Sequence, residues 1–296
     1  MYCYRITMVV LSIVIPVRNR QGSLSELLNQ LCVQVEAASV RAEIIVIDDA
    51  SLPPISVPHS SSFGQIRLIR SDQSLGAQAS RRRGLSVAIG DIIHFHDSDD
   101  LLTNDWVESV VEAFSLDHDL GVLISSRMKQ SGAGCMYEIN PHVAARLCGD
   151  MRWFRHYQRF RNAIGPIGGV TFRRRVLSMS DFVVSPASQD WLLYDAVLAR
   201  NPKCIVRHDI RFIYRELDES RISASARRRV KGFVSAARYR FRYRWSRRLA
   251  SVIYCAHAGP AVHGVVRVRS DWLVCFLGNR LARSRLLSRV LLPQYR

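Results

Sequence analysis

Short apolar runs alternate with amphipathic segments along the first part of the chain. The runs have the length and β-branched character of strands, and they are Ser12–Pro16, Ile44–Ile47, Ile66–Ile69, Ile92–Phe95 and Val122–Ile124. The segments between them carry apolar residues at helical spacing, and they are 23–35, 76–89 and 105–114. Strands that are apolar throughout are typical of parallel sheets covered on both faces. The pattern therefore predicts an α/β fold with a doubly wound, mostly parallel sheet flanked by helices.

Polar residues predict where two of the helices begin. Ser23 and Glu26 have the spacing of a capping box, and Ser188 is predicted to cap the helix that follows it. Three further strands are predicted in the second half of the chain, at 168–172, 204–207 and 210–215. The first of them contains Gly168-Gly169, where we expect another segment of backbone to approach closely.

Three carboxylates, those of Asp97, Asp99 and Asp100, follow the apolar run Ile92–Phe95. In open α/β sheets, ligands bind beyond the carboxyl ends of the strands. Neighbouring carboxylates repel one another, and a hard cation such as Mg²⁺ or Mn²⁺ with oxygen ligands relieves that repulsion. One alternative is a polar turn in which an aspartate caps the next helix. Because three acids stand together, the cluster favours a metal–phosphate site.

Composition limits the class of protein. With 296 residues, 48% of them hydrophobic, the chain can form one large α/β domain with an appendage. Seven cysteines without a C-x-x-C pair favour a reducing compartment over a disulfide framework or a zinc site. The apolar N-terminus is shorter than the roughly 20 residues that cross a bilayer, and we predict a strand there. The expected location is the cytoplasm.

The basic charge is concentrated at the C-terminal end. Residues 226–296 hold 17 Lys and Arg and one acid, whereas residues 1–225 hold 25 Lys and Arg and 24 acids. We therefore divide the chain into a body, 1–225, and a basic tail, 226–296. A tail of this kind favours an anionic partner such as a membrane surface.

Apolar positions in the tail recur every three or four residues, which predicts an amphipathic helix. They are Val230, Val234, Ala237, Phe241, Trp245, Leu249 and Val252, with arginines on the other faces. Two interpretations remain open: the helix lies on the inner face of an anionic membrane, or its apolar stripe packs on the body. Leu281–Leu292 is a second candidate of the same kind. Nucleic acid is the poorer hypothesis, because no binding module is recognisable.

Four segments in series carry a resemblance to a known family. They are SIVIPVRNR, VIDDAS, SLGAQASRRRGL and HDSDD, and they resemble family 2 glycosyltransferases of the GT-A fold. The resemblance covers residues 11–115 well and continues more loosely to 225. It implies a nucleotide-binding half at about 1–120 and an acceptor half at about 121–225. It also implies an inverting, metal-dependent transfer of a hexosyl group from a nucleotide-sugar, usually a UDP-sugar, to a glycan or lipid-linked acceptor.

The resemblance also implies roles for individual residues. Nucleotide-sugar contacts fall on Pro16, Val17, Asn19, Asp49, Arg81 and Asp97. Among these, Asp49 would accept from the base, Arg81 would reach the nucleotide and Asp97 would lie near the ribose. Asp99 or Asp100 would contact the metal. The family often has asparagine where Ser74 stands, so no role is transferred to it.

Asp190 is the residue that the resemblance makes the general base. The simpler interpretation, an acid that complements the dipole of the helix N-terminus, is compatible with that role, because the positive end keeps a carboxylate ionised. Gln189 stands where the family usually has glutamate. The family's histidine between Tyr-Arg and Ser-x-Ser is also missing, and Arg221 is a weak candidate to replace it.

Two further features of the sequence have a structural explanation: a pair of histidines and an aromatic, arginine-rich segment. His94 and His96 are predicted to be ordinary sheet histidines rather than metal ligands. The aromatic and arginine-rich segment within 126–165 fits an acceptor-side surface and a solvated amphipathic helix equally well.

Two other functional classes remain as alternatives. One is a non-catalytic protein that binds nucleotide-sugars or anionic polymers on the same scaffold. The other is a nucleotidyltransferase, which is disfavoured because the body has only Lys129 and Lys203, neither of them near the motifs.

Overall fold

A computed structural model describes residues 10–58, 64–130, 136–139, 162, 164–215, 226–240, 245 and 247–251. The chain forms two compact units. Among the described residues, the second unit contains 162, 185–192, 226–240, 245 and 247–251, and the first contains the rest. Several sequence-based predictions lie outside the described residues, namely those for residues 151–161, Arg221, Phe241, Val252 and Leu281–Leu292.

The first unit is built around a mixed sheet with nine strands among the described residues. They are β1 (Val10–Val17), β2 (Arg41–Asp49), β3 (Gly64–Ser71), β4 (Ile92–Phe95), β5 (Leu101–Leu102), β6 (Leu120–Gln130), β7 (Met136–Ile139), β8 (Val170–Arg173) and β9 (Lys203–Arg215). Their order is β3-β2-β1-β4-β8-β6-β9-β5, and β7 pairs with β6. The first four strands in this order are parallel, so the carboxyl ends of β1, β2 and β4 lie at one edge.

Three helices lie in the first part of the chain, as the apolar spacing predicts: the first two follow β1 and β3, and the third follows β5. They are α1 (Gln21–Ala38), α2 (Ala77–Val87) and α3 (Trp106–Leu116), and α4 (Gln189–Leu198) and α5 (Ala226–Arg240) come later in the chain. The predicted apolar faces are buried: Leu24, Leu28 and Leu31 of α1, and Val107 and Phe114 of α3, pack in the core of the first unit.

The predicted capping box at the start of α1 is wrong. The helix begins at Gln21, two residues before Ser23, and no side chain caps it. Instead, the Gln21 amide donates to Ser56 O at 2.9 Å and accepts from Ser56 N at 2.9 Å. The start of α1 is therefore held by the loop after β2 rather than by a residue of its own first turn.

The later strands join the sheet in both directions. β8 lies antiparallel between β4 and β6, while β9 runs parallel to β6. The two strands predicted at 204–207 and 210–215 form one strand, with a register shift where Ser125 pairs with Arg207 and Ser126 with Arg211. The predicted boundary between the two strands therefore coincides with an irregularity in the pairing of one continuous strand.

Gly168 and Gly169 lie in a 3₁₀ turn before β8, not in the strand itself. The neighbours that come close there are side chains and not the expected backbone: a Cβ on Gly168 would lie 3.1 Å from the Phe212 ring and 3.3 Å from His96 Cε1. A larger residue would therefore push the turn away from β9.

The second unit holds the start of α4 together with α5. Phe233 of α5 packs edge-on against Trp191, with ring centroids 6.2 Å apart, and Gly232 faces Ala187 so closely that a Cβ would lie 2.7 Å from it. The predicted tail stripe divides: Ala237 is buried, whereas Trp245 and Leu249 are 68% and 53% exposed. Within the described residues, no helix combines the length and apolar content needed to cross a membrane.

Candidate functional site

The three acids predicted to act together do meet beyond the carboxyl end of β4. The main chain turns there, with Asp100 N donating to Asp97 O at 3.1 Å. One carboxylate oxygen from each of Asp97, Asp99 and Asp100 lies within 4.8 Å of the others. Asp97 and Asp99 are half-buried and Asp100 is fully buried. Hard oxygen donors at this separation fit a Mg²⁺ or Mn²⁺ ion that retains water or phosphate ligands.

Two guanidinium groups reach this acidic cluster from separate elements. Arg81 of α2 donates from Nη2 to Asp97 Oδ1 at 2.6 Å, and its side chain is only 4% exposed. Arg20, the residue before α1, forms an ion pair with the carboxylate of Asp99. The sequence predicts that a metal offsets the repulsion among these carboxylates. In the structure, arginines supply part of that positive charge.

Arg215 anchors the main chain of the acidic cluster from the end of β9. Its Nε donates to Asp99 O at 2.9 Å, and its backbone N donates to Asp100 Oδ1 at 3.1 Å. Its Nη1 also donates to Glu26 of α1 at 2.7 Å. The turn is thereby tied to α1 and β9, which fixes where its carboxylates point. The sequence contained the Tyr-Arg pair but no indication that the arginine reaches this turn.

The two acids at the end of β2 bind to residues of neighbouring loops and strands. Asp48 is fully buried and forms an ion pair with Arg70. Burial raises the pKa of Asp48, but the hydrogen bonds from Ser51, Ile55 and Arg70 outweigh it, so the pKa is lowered overall. This carboxylate is charged and structural.

Asp49 holds the loop that leads into α2. Its Oδ2 accepts from Ser74 Oγ at 2.7 Å and from Gly76 N at 3.0 Å, and its Oδ1 accepts from Leu75 N at 2.8 Å. Gly76 has φ +87°, a conformation that favours glycine. Ser74, which was given no role from the sequence, also accepts from Arg18 Nη1 at 2.9 Å.

Three residues at the end of β1 are predicted to contact the nucleotide-sugar, and they differ in burial. Pro16 and Val17 are buried strand residues, and Pro16 lies opposite Ile47. Asn19 is exposed and has φ +55°. It accepts from Leu52 N through Oδ1 at 2.8 Å, and its own N donates to Ser51 Oγ at 2.9 Å. Asn19 therefore joins the loops that follow β1 and β2.

Asp190 lies in the first turn of α4, as predicted, and is half-buried. Ser188, the expected cap, has φ +60°, and its carbonyl accepts from Leu192 N at 3.2 Å. The neighbouring Trp191 is buried, and its ring faces the Arg240 guanidinium at 4.2 Å. Arg240 also donates to Trp191 O at 3.2 Å. The segment that carries Asp190 is thus held by α5 within the second unit.

His94 and His96 are core histidines, as expected. Nδ1 of His94 lies 3.0 Å from Thr171 Oγ1, and its Nε2 lies 3.1 Å from His96 Nδ1. Burial lowers the pKa of His96 to about 4, against the opposing effects of the Asp97 charge and the Asp100 backbone. Burial likewise lowers the pKa of His94 well below 6.5, with the charge of His96 acting in the same direction. Among the described residues, only the three aspartates form a group suited to a metal.

Comparison with known proteins places the chain in a family. The model for "Glycosyl transferase family 2" matches residues 12–176, more than half of the sequence. The chain belongs to this family. An uncharacterized glycosyltransferase of Haemophilus influenzae is 34% identical over 103 residues, which are 35% of this chain and only 34% of that protein.

Solved structures share the fold at low sequence identity. S. aureus TarS 1–349 in complex with UDP-GlcNAc superposes with a TM-score of 0.57 at 16% identity, covering 96% of this chain and 76% of that one. The mannosyltransferase PcManGT of Pyrobaculum calidifontis, in complex with GDP-Man and Mn²⁺, gives 0.54 at 14% identity, covering 95% and 82%. The mixed, mostly parallel sheet flanked by helices is therefore the GT-A fold, which confirms the fold implied by the sequence motifs.

Proposed function

We propose that this chain transfers a hexosyl group from a nucleotide-diphosphate sugar to an acceptor hydroxyl, with inversion at the anomeric carbon. The observation that supports it best is the convergence of Asp97, Asp99 and Asp100 with Arg20 and Arg81 at the carboxyl end of β4. An anionic diphosphate and a divalent cation need this mixture of carboxylates and guanidinium groups.

The acidic cluster and its arginines would receive the donor. Asp99 and Asp100 would hold Mg²⁺ or Mn²⁺, and a cation bound there would offset the negative charge of the departing diphosphate. Asp99 is the more accessible of the two, since Asp100 is fully buried and accepts from Arg215 N. Arg81, paired with Asp97, adds positive charge on the nucleotide side.

The nucleotide would lie against the loops after β1 and β2. Asn19, which is bonded to Ser51 and Leu52 of the loop after β2, would line it together with the main chain of Pro16 and Val17. Asp49 would accept from the base, and the Ser74–Gly76 segment that it holds would form the adjoining wall.

Asp190 would act as the general base of the transfer. The acceptor oxygen forms a bond to the anomeric carbon while the bond from that carbon to the diphosphate oxygen breaks. The bonding electron pair leaves with the diphosphate, and the acceptor's proton passes to the Asp190 carboxylate. A well-placed base of this kind typically accelerates a reaction about 10²–10⁴-fold. The contacts of Phe233 and Arg240 with Trp191 would keep the neighbouring base in place.

The donor is proposed to be a UDP-sugar, because UDP-GlcNAc and UDP are the ligands of two TarS structures with this fold. GDP-sugars are the second choice, since GDP-Man is the ligand of PcManGT. The test is to measure release of free sugar from UDP- and GDP-sugars with Mn²⁺, with Mg²⁺ and with a chelator. Release from one donor, lost with the chelator, is expected; if no donor is hydrolysed or transferred, the enzymatic proposal fails.

A non-catalytic protein that binds nucleotide-sugars or anionic polymers is the second candidate. The features that favour it are Gln189 in place of the usual glutamate and the absence of the family's histidine after Tyr214-Arg215. A non-catalytic protein would bind a donor but would release no free sugar in the experiment proposed for the transferase.

A lipid-linked or polysaccharide acceptor at an anionic membrane surface fits the C-terminal region. The exposed residues of its described helices combine large apolar side chains with basic ones. They are Arg228, Lys231, Arg238, Tyr239, Trp245, Arg248 and Leu249. We propose that this surface, the basic-aromatic face, lies against lipid headgroups and brings the enzyme to its acceptor.

A further inference from the structure

We propose that Arg20 is a resident counter-ion of Asp99, which a divalent cation must displace, and that this exchange couples cation binding to diphosphate binding. The inference rests on the proposed function, since it concerns the same acidic cluster. It adds a role for a residue that lies in the segment SIVIPVRNR but to which the family resemblance assigned none.

The contacts of Arg20 differ from those of the other two arginines at the cluster. Arg81 donates to the Asp97 carboxylate, whereas Arg215 donates to the Asp99 carbonyl and to Glu26. Arg20 is paired with the Asp99 carboxylate, the more accessible of the two proposed metal ligands. A cation that approaches Asp99 therefore meets a positive charge already bound there.

Burial indicates which arginine can move. The Arg20 side chain is 24% exposed, compared with 13% for Arg215 and 4% for Arg81. Arg20 also belongs to the loop before α1 and not to a helix or strand. Releasing its guanidinium towards solvent or a ligand therefore disturbs less packing than releasing either of the others.

The exchange has a direct electrostatic consequence. A guanidinium and a divalent cation compete for the same carboxylate oxygens and repel each other, so Arg20 weakens binding of the cation alone. When a diphosphate arrives with the cation, its negative charge gives the displaced guanidinium a new partner. Cation and diphosphate should then raise each other's affinity by the same factor, as linkage requires.

The test measures Mn²⁺ binding by calorimetry and by electron paramagnetic resonance, with Mn²⁺ alone and with saturating UDP. Compared with wild type, Arg20→Ala should bind Mn²⁺ alone about tenfold more tightly, while the gain in Mn²⁺ affinity caused by UDP should shrink towards one. Arg82→Ala, on the exposed neighbour of Arg81, is the control and should leave both quantities unchanged.

A second variant separates charge from packing. Arg20→Gln keeps most of the side-chain length without the charge, and it should behave like Arg20→Ala. The proposal is overturned if Arg20→Gln behaves like wild type, if Arg20→Ala leaves Mn²⁺ affinity unchanged, or if no variant binds Mn²⁺. Sugar release from UDP- and GDP-sugars with Mn²⁺ or Mg²⁺ tests the transferase proposal separately, so failure of the exchange and failure of the function are distinguishable.

Discussion

Arg81 of α2 and Asp97 after β4 form an ion pair of 2.6 Å in which the arginine side chain is almost wholly buried. The pair joins a helix to the first carboxylate of the acidic cluster. It also connects the two motifs from which nucleotide binding was inferred. Because the guanidinium lies out of water, its partners cannot be replaced by solvent without a cost in stability.

Arg81→Ala should therefore both destabilise the first unit and weaken nucleotide binding. Removing a charged partner from a largely buried pair costs about 1–3 kcal/mol in the free energy of unfolding. Urea denaturation measures that loss, and calorimetry with UDP measures the affinity. The matched control is Arg82→Ala, whose side chain is exposed, and its change should stay within about 0.5 kcal/mol. Equal stability of the two variants would contradict a structural role for the pair.

Asp49 makes a second, separable prediction about the loop before α2. Its carboxylate accepts three hydrogen bonds from Ser74, Leu75 and Gly76. Asp49→Ala should expose the amides of Leu75 and Gly76 to faster hydrogen exchange and lower the free energy of unfolding by about 1–3 kcal/mol. Ser74→Ala removes one of the three bonds and should have a smaller effect on both measurements. Unchanged amide exchange in Asp49→Ala would show that the loop is held by other contacts.

The strands could be predicted from the sequence because their order along the chain and their apolar runs are local properties. Ile92–Phe95 and Ile44–Ile47 are buried on both faces in the structure, as continuous apolar runs indicate. β6 was predicted too short, because its second half carries half-buried polar residues such as Lys129 that pair with β7 and β9. Where pairing with neighbouring strands, and not an apolar run, extends a strand, its full length cannot be predicted from the sequence.

The acidic cluster was predicted, but its arginine partners were not. Arg20 lies 79 residues from Asp99, and Arg215 lies 116 residues from it. No periodicity connects residues at such separations, because only the order of the strands brings β1 and β9 to the same turn. Ser74 was likewise left without a role, since its hydrogen bond to Asp49 depends on how the loop closes and not on the residue types. The sequence therefore indicates which acids form the cluster, but it does not indicate which residues bind to them.

The proposed base makes a kinetic prediction. Asp190→Asn keeps the side-chain size in the first turn of α4 but removes the proton acceptor, so transfer should fall about 10²–10⁴-fold while UDP affinity stays at the wild-type value. Single-turnover transfer assays and calorimetry provide the two measurements. Asp195→Asn, in the same helix, is the control and should retain activity. Wild-type turnover in Asp190→Asn would remove this residue from the mechanism.

His94 gives the fold a predictable pH dependence. Its pKa lies well below 6.5 mainly because burial disfavours the imidazolium, assisted by the charge of His96 and opposed by the Val170 carbonyl. Below about pH 6.5 the unfolded chain takes up a proton that the folded chain does not. Stability should therefore fall as the pH decreases from about 6.5, by at most about 1.4 kcal/mol per pH unit for this one group.

His94→Gln should flatten that dependence, whatever its effect on stability at neutral pH. The measurement is urea denaturation at several pH values between about 5 and 8, with the slope compared between variant and wild type. An identical slope in His94→Gln and wild type would show that other groups set the acid sensitivity of the fold.

The basic-aromatic face predicts binding to anionic vesicles. Trp245 and Leu249 are more than half exposed, and burying a large apolar side chain in a membrane interface contributes up to about 1.5–3 kcal/mol. The double variant Trp245→Ser, Leu249→Ser should therefore partition at least about tenfold more weakly into vesicles of mixed phosphatidylcholine and phosphatidylglycerol. Sedimentation with the vesicles measures this partitioning. Leu116→Ser, on an exposed leucine of α3, is the control for general loss of hydrophobicity.

Binding should also weaken with added salt, because exposed charges are screened over about 10 Å at 0.1 M. If the double variant sediments like wild type, or if neither binds anionic vesicles, this face does not dock on lipid and a protein or polysaccharide partner becomes the better hypothesis.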